Sequence, residues 1–224
     1  MTDSDECLGP TDMIDSDNPA VIAYARKAAK GETDPKQRAL NLYYAVRDDF
    51  RYDPYTVSMT RDHFRASACL DRGYGFCITK AGFLAAVARA EGIPARLGFA
   101  DVRNHLSTEK MREQMETDLF YYHGYTELKI DGKWVKATPA FNLALCEKFG
   151  VLPLEFDGEN DSIFHPLTAD GQKHMEYVNE RGSRDDMPFD EISDCFREHY
   201  PYMFDGGVPD GDFAAEADAE NKTA

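Results

Sequence analysis

Apolar residues recur with helical spacing in two stretches near the start of the chain. The first follows Asn18-Pro19 and ends at Gly31, and the second follows Asp34-Pro35 and ends near Asp49. An Asn or Asp before proline favours a helix start, because its side chain caps free N–H groups and proline fits the first helical position. A glycine after the last periodic residue favours a stop. The pattern predicts two N-terminal helices.

A third apolar stretch opens with a cysteine. It begins at Gly73-Tyr74-Gly75-Phe76-Cys77 and continues as an alanine-rich run to Gly92, in which residues at helical spacing would bury one side. A thiol at a helix start lies among unpaired N–H groups at the positive end of the helix dipole, which lowers its pKa. Cys77 is therefore a candidate nucleophile. The alternative is a buried structural cysteine, since free cysteines pack like small hydrophobic residues.

The pattern changes to strands after Pro94. Residues 95–102 predict a strand, and 103–118 break the alternation with a short helix in which Met111 and Met115 share an apolar face. An insertion between strands near a site is a lid candidate, although an ordinary surface loop is the commoner case.

Two aromatic and β-branched runs flank Asp131-Gly132, which predicts a two-residue type I′ hairpin. In that hairpin Ile130 faces Lys133. Counting back places His123 and Thr138 on one sheet face as diagonal neighbours, about 7–8 Å apart. A thiol nucleophile needs a base and a group that orients the base, so both are candidates. The alternatives are a sheet histidine with a backbone partner and a threonine that simply suits a strand.

Composition limits the classes of partner and cofactor. The chain of 224 residues is 42% hydrophobic, enough for a sizeable core, and carries a net charge of −16. Such acidity disfavours nucleic acid and anionic membranes, which bind basic patches. The five cysteines are odd in number and form no CxxC pair, so we expect neither disulfides nor a structural zinc site. No metal or other cofactor is expected.

The organisation along the chain predicts one domain over 1–205, with an extension over 143–205 that includes short helices near 142–149 and 190–199. Residues 206–224 are strongly acidic and predict a disordered tail. The first residues lack the basic and apolar regions of a signal peptide, and no apolar run approaches the ~20 residues that span a bilayer. A cytoplasmic protein in a reducing compartment is the expectation.

The order of these motifs resembles the transglutaminase-like superfamily, the bacterial domain in particular, over about residues 36–142. That family combines G-x-C at a helix start, G-I-P-A-R after the helix, a His on a strand and W-V-x-x-D-P on the next strand. The matching segments here are Gly75-Phe76-Cys77, Gly92-Ile93-Pro94-Ala95-Arg96, His123 to Leu128 and Trp134 to Pro139. The resemblance implies an α+β, papain-like core with N-terminal helices and a Cys-bearing helix packed on an antiparallel sheet.

The resemblance also implies a chemistry. Cys77 looks like the nucleophile and His123 like the general base of acyl transfer at an amide carbonyl, with a protein, peptide or small amide as substrate. The acceptor would be an amine in a transglutaminase or water in an amidase or peptidase. Thr138 stands where the family has Asp, and its hydroxyl accepts a hydrogen bond but has no charge to stabilise an imidazolium. Other candidates for the orienting residue are Asn142, Asp157 and Asp161.

Two other functional classes stay open from the sequence. A binding or scaffold module that has lost the Asp predicts ordinary Cys77 reactivity and no action on amides. A metal-dependent hydrolase that uses His165 and His174 predicts activity that strong chelators remove.

Overall fold

The N-terminal helices begin at the predicted caps. A computed structural model of the chain describes residues 7–104, 107–163, 175–206 and 211–223. Helix α1 (Pro19–Ala29) follows Asn18, whose side chain accepts a hydrogen bond from the N–H of Ala20. Helix α2 (Pro35–Asp49) follows Asp34, whose side chain accepts from the N–H of Gln37. Both caps satisfy N–H groups that have no partner within the helix.

The Cys-bearing helix lies at the centre of the molecule. Strand β1 (Arg51–Tyr52), a 3-10 turn (Pro54–Thr56), helices α3 (Arg61–Phe64) and α4 (Ala66–Arg72), and strand β2 (Tyr74–Gly75) lead to α5 (Cys77–Ala90). Every residue from Ile78 to Arg89 is buried. The sequence predicted that only one side of this helix would be buried. That prediction was too narrow, because α1, α2 and α4 pack around α5 together with the sheet.

The main sheet is antiparallel, in the order β5-β4-β3-β6. Its strands are β3 (Ala95–Asn104), β4 (Leu119–Ile130), β5 (Lys133–Ala137) and β6 (Met175–Arg184). The predicted hairpin register is confirmed, since Ile130 pairs with Lys133. Asp131 and Gly132 both adopt the positive φ that a type I′ turn requires.

The hairpin is shorter than predicted. Its last pair is Thr126 with Ala137, after which the N–H of Thr138 donates to the carbonyl of Ser162 at 2.9 Å. The predicted register, continued from Ile130 and Lys133, would pair Thr138 with Tyr125, and this pair is not formed. Residues 119–125 of β4 extend beyond the end of β5.

The remaining helices lie between the strands or after them along the chain. They are α6 (Glu109–Met115), α7 (Leu143–Phe149), α8 (Phe189–His199) with a 3-10 turn after it (Pro201–Met203), and α9 (Phe213–Thr223). In the described parts of the chain, none of the helices has the length and apolarity needed to cross a membrane.

The expectation of a disordered tail was wrong for residues 213–223. These residues form α9, and its Phe213 and Ala217 are buried. The ring of Phe213 packs on those of Tyr52, Tyr55 and Phe149, with centroids 5.5–5.9 Å apart. An acidic segment orders here because two apolar side chains on it meet an aromatic surface.

Candidate active site

The thiol of Cys77 lies where the start of α5 meets β4. A Cβ atom at Gly124 would come within 2.9 Å of the Ile78 Cα, so only glycine permits this approach without a shift of the helix. Behind the thiol, the N–H of Phe76 donates to the hydroxyl of the buried Thr79 at 3.1 Å, which caps the helix start. The backbone N–H groups of Gly124, Ile78 and Cys77 itself interact with the sulfur.

The thiol does not have the lowered pKa that its position predicts. Burial raises the pKa of Cys77 to about 11, and the hydrogen bonds from backbone N–H groups offset only part of this rise. The expectation rested on the helix terminus alone and took no account of the covering side chains. In this conformation Cys77 is a neutral thiol at pH 7.

His123 follows an irregularity in β4. The pairs Ala100–His123 and Val102–Phe120 enclose a β-bulge, in which Tyr122 adopts a φ of 54°. Bulges re-aim neighbouring side chains and recur beside active sites. His123 is buried and lines the same pocket as Cys77, so the structure brings the predicted nucleophile and base together.

The bulge is held by a buried carboxylate. Asp101 accepts hydrogen bonds from the N–H of Tyr122 at 3.1 Å and from the side chain of Asn179 at 3.2 Å, and it forms an ion pair with Arg181 at 2.5 Å. The left-handed backbone of Tyr122 is therefore supported from β3 and β6. Asp101 was not among the predicted site residues, because the bulge has no signature in the sequence.

The pocket that contains Cys77 and His123 is narrow, and Cys77 is partly buried in it. Its described lining includes Met111 and Met115 of α6 on one side, and Phe196 and Tyr200 of α8 and the turn after it on the other. The remaining cavity measures about 40 Å³. This volume holds a few water molecules at most and no amide substrate.

Thr138 lies beside His123 but has another hydrogen-bond partner. Both residues line a second small pocket, and the Thr138 hydroxyl donates to the carbonyl of Ile163 at 3.2 Å. Two further hydrogen bonds fix the backbone of residues 138–140. The Tyr43 hydroxyl donates to the Thr138 carbonyl at 3.2 Å, and Lys80 Nζ donates to the Ala140 carbonyl at 2.8 Å. Thr138 thus lies beside His123, where the residue that orients the base is expected. Its hydroxyl oxygen can still accept a hydrogen bond.

The other orienting candidates are engaged elsewhere. The side-chain oxygen of Asn142 accepts from the N–H of Tyr52 at 3.1 Å. Asp157 closes a turn of its own, where hydrogen bonds from the N–H and side chain of Asn160 lower its pKa to about 2. Asp161 accepts from the N–H of Lys136. None of the three belongs to the described lining of either pocket that contains His123.

The histidines of the metal hypothesis, His165 and His174, lie outside the described residues. Among the residues that the structure does describe, no three or more His, Cys, Asp and Glu side chains form a group that could hold a metal ion.

Three motif residues form a structural cluster away from the thiol. Arg96 is paired with the buried Glu127, and its guanidinium lies 4.2 Å from the centre of the Trp134 ring. Ser183 of β6 also donates to Glu127, at 3.0 Å. The G-I-P-A-R and W-V segments are thereby joined across β3, β4 and β5, which fixes the sheet that carries His123.

Lys80 was also missed by the sequence predictions. Its ammonium donates to the carbonyls of Arg47, Phe50 and Ala140 at 2.7–2.9 Å and is fully buried. Burial lowers the pKa of Lys80 to about 7, although three carbonyl acceptors favour the charged form. A lysine inside an apolar helix is the signal that could have identified it.

Known proteins resemble this chain in family and in fold. A family model described as the Transglutaminase-like superfamily matches residues 22–139, just over half of the chain. The chain belongs to this superfamily. The match includes Cys77, His123 and Thr138, whereas Asn142 lies beyond it. A search of curated proteins found no match.

One solved structure shows the same fold at low identity, and a second is similar to a smaller extent. A "putative cysteine protease" from Cytophaga hutchinsonii is 17% identical, with a TM-score of 0.53, over 83% of this chain and 48% of that one. The periplasmic domain of TgpA from Pseudomonas aeruginosa is 22% identical, with a TM-score of 0.38, over 55% of this chain and 42% of that one. The present chain thus spans about half the length of the first protein. The family match and the likeness to that protein together give the papain-like, transglutaminase-type fold.

Proposed function

We propose that this protein is a thiol enzyme that acts on an amide bond of a protein, peptide or small amide. The observation that supports this proposal most is the shared pocket of Cys77 and His123, at the point where Gly124 lets the helix start approach the strand. Cys77 would act as the nucleophile and His123 as the general base, with Thr138 beside the imidazole.

The proposed reaction has two balanced steps. His123 takes the proton of Cys77, the sulfur attacks the amide carbonyl, and the C–N bond breaks as the amine leaves with that proton. Water or a second amine then attacks the thioester, the C–S bond breaks, and the sulfur recovers a proton through His123. The N–H groups of Cys77 and Gly124 lie near the sulfur, where they could stabilise a developing oxyanion.

A binding module is the second candidate. Two observations favour it: Thr138 replaces the family's Asp, and burial raises the pKa of Cys77. As a module it would hold a peptide without cleaving it, and substitution of Cys77 would leave binding intact.

Activity on a peptide library separates the two candidates. Mass spectrometry would detect cleaved or cross-linked peptides, and we expect the products to disappear with Cys77→Ser and to fall at least 100-fold with His123→Ala. Cys195→Ser, a change at another partly buried cysteine, is the matched control and should keep activity. Equal activity of the Cys77→Ser and wild-type proteins would reject the thiol mechanism.

The cellular compartment of the protein is still a prediction. All five cysteines are free thiols, which supports the proposal of a reducing, cytoplasmic environment.

A further inference from the structure

The walls around Cys77 are mostly apolar. Met111, Met115, Phe120, Phe196 and Met203 all face the pocket, and no Lys, Arg, Asp or Glu belongs to its described lining. A charged side chain placed here would lose its hydration without gaining a partner, whereas an apolar side chain would replace the methionine contacts. The three methionines are unbranched and adaptable, so they can yield to a ligand of similar polarity.

We propose that this pocket receives an uncharged, apolar side chain of the substrate next to the scissile amide, and that Met111 is a specificity-determining residue. The proposal rests on the proposed function and names its substrate class. Met111 is 7% exposed and comes from α6, the helix inserted between β3 and β4. Its neighbour Glu113 is exposed on the other side of the helix.

Peptidyl chloromethyl ketones that differ only in the side chain beside the ketone can test this selection. The Cys77 sulfur displaces chloride and forms a C–S bond, and its proton passes to His123. Labelling of Cys77, followed by mass spectrometry, should be at least tenfold faster with Leu or Phe than with Asp or Lys. Equal rates for all four probes would overturn the selection but leave the thiol mechanism standing. A failure of every probe to label Cys77 would count against both.

A second test of the substrate preference introduces a charge into the pocket wall. Met111→Lys should raise the rate of the Asp probe relative to the Leu probe at least tenfold, and Met111→Leu should keep the wild-type order. Glu113→Gln adds the same unit of charge on the exposed side and is the matched control. An unchanged order in Met111→Lys, or an equal change in Glu113→Gln, would remove Met111 from the specificity site.

A separate set of contacts holds α6 in place. Glu216 of α9 accepts a hydrogen bond from the Tyr55 hydroxyl at 2.6 Å and pairs with Lys110 at 3.3 Å. One turn later, Glu220 accepts from the N–H of Glu109 at 2.8 Å. Helix α9 therefore joins the start of α6 to the turn after β1, and both segments contribute side chains to the pocket around Cys77.

The opposite wall is fastened differently. The hydroxyl of Tyr200 accepts from the N–H of Tyr121 at 2.9 Å and donates to the carbonyl of Leu119 at 2.6 Å, so the end of α8 is bonded to β4 itself. Ile192 of α8 is fully buried. Among the described residues, the end of α8 is bonded to β4 through Tyr200, whereas α6 is bonded to α9, so α6 is the wall held by contacts outside the sheet.

We infer that α6 is a lid over Cys77 and that α9 latches it closed through Glu216 and Glu220. The cavity of about 40 Å³ requires such an opening before any amide can reach the thiol. The contacts of the latch are partly exposed, with side-chain exposures of 44% for Lys110 and 24% for Glu216. An exposed pair of this kind contributes little and responds to salt, whereas the hydrogen bond from the buried Tyr55 to Glu216 is the stronger contact of the latch.

The rate of Cys77 alkylation by iodoacetamide in the full chain measures the opening. The double variant Glu216→Ala/Glu220→Ala should react about three- to tenfold faster than wild type, because the contacts of both carboxylates with α6 and with Tyr55 are lost. The buried Cys69 and Cys146 report the integrity of the fold in the same sample. Asp218→Ala is the matched control, because Asp218 bonds to Lys222 within α9.

The latch is rejected if the double variant and wild type react equally, or if Asp218→Ala accelerates alkylation as much. A parallel rise at Cys69 and Cys146 would also reject it, since the contacts would then support the whole fold. Glu216→Gln, which keeps size and removes charge, should give an intermediate acceleration at Cys77 alone.

Discussion

The contact between α5 and β4 and the contact between α6 and α9 are built from different interactions. In the first, Gly124 lies against the backbone of Ile78, and the buried Thr126 hydroxyl donates to the Ala81 carbonyl at 2.8 Å. In the second, exposed charged groups meet, as in the pair of Arg112 and Glu220 at 3.9 Å. Buried polar contacts are costly to break, while exposed ion pairs contribute about 0–1 kcal/mol.

This difference separates two tasks in the site. The buried contact fixes the positions of Cys77 and His123, which acyl transfer needs to within a fraction of an ångström. The exposed contact only covers them. Substitutions at the buried faces of α5 should therefore change stability more than substitutions at the exposed contacts of α9.

The largest effect is expected for Lys80→Met. The substitution leaves the carbonyls of Arg47, Phe50 and Ala140 buried without their shared donor, so the free energy of unfolding should fall by about 3–5 kcal/mol. Urea denaturation followed by circular dichroism would measure it. Lys133→Met is the control, because Lys133 bonds to one exposed carbonyl, and its effect should stay within about 0.5 kcal/mol. Equal losses for both variants would contradict the role of Lys80.

The next effect is expected for Gly124→Ala. The new methyl group would lie 2.9 Å from the Ile78 Cα, so α5 must shift and unfolding should become easier by about 1–3 kcal/mol. Alkylation of Cys77 should change as well, because the thiol moves with the helix. Gly9→Ala is a suitable control, since a Cβ atom there meets nothing within 4 Å. A Gly124→Ala protein with wild-type stability would show that the helix start is not tightly packed on β4.

The buried contact is also the part that the sequence predicts best. The start of α5 at Cys77, the positive φ at Asp131-Gly132 and the pairing of Ile130 with Lys133 all follow from signals within a few residues of each other. Local signals of this kind describe backbone geometry that neighbours in the chain determine.

What the sequence predicts poorly depends on distant partners. The hairpin ends at Ala137 because Thr138 bonds to Ser162, a residue with no local relation to it. The raised pKa of Cys77 comes from burial by side chains of distant segments. Helix α9 was missed because a count of acidic residues ignores where Phe213 can pack.

A smaller effect is expected for Tyr200→Phe. The variant keeps the ring in the pocket wall but removes the hydroxyl that bridges Tyr121 and Leu119, so we expect a loss of about 1–2 kcal/mol in unfolding. Hydrogen exchange at the N–H of Tyr121 should accelerate. Tyr202→Phe on the same turn is the comparison. If exchange at Tyr121 stays at the wild-type rate, the wall formed by α8 is no more firmly attached than α6.

The smallest effect concerns pH and tests the cover over the thiol. Because burial raises the pKa of folded Cys77 to about 11, above the ~8.5 of an unfolded cysteine, the folded state holds its proton more tightly. Its contribution to stability is complete below pH 8.5 and is lost as the pH rises toward 11. Between pH 8 and 9.5 wild type should therefore lose about 1 kcal/mol more than Cys77→Ser in urea denaturation. Adding Glu216→Ala/Glu220→Ala should reduce this difference, since an open lid rehydrates the thiol. If wild type and Cys77→Ser depend equally on pH, the thiol is already in contact with water and α6 does not cover it.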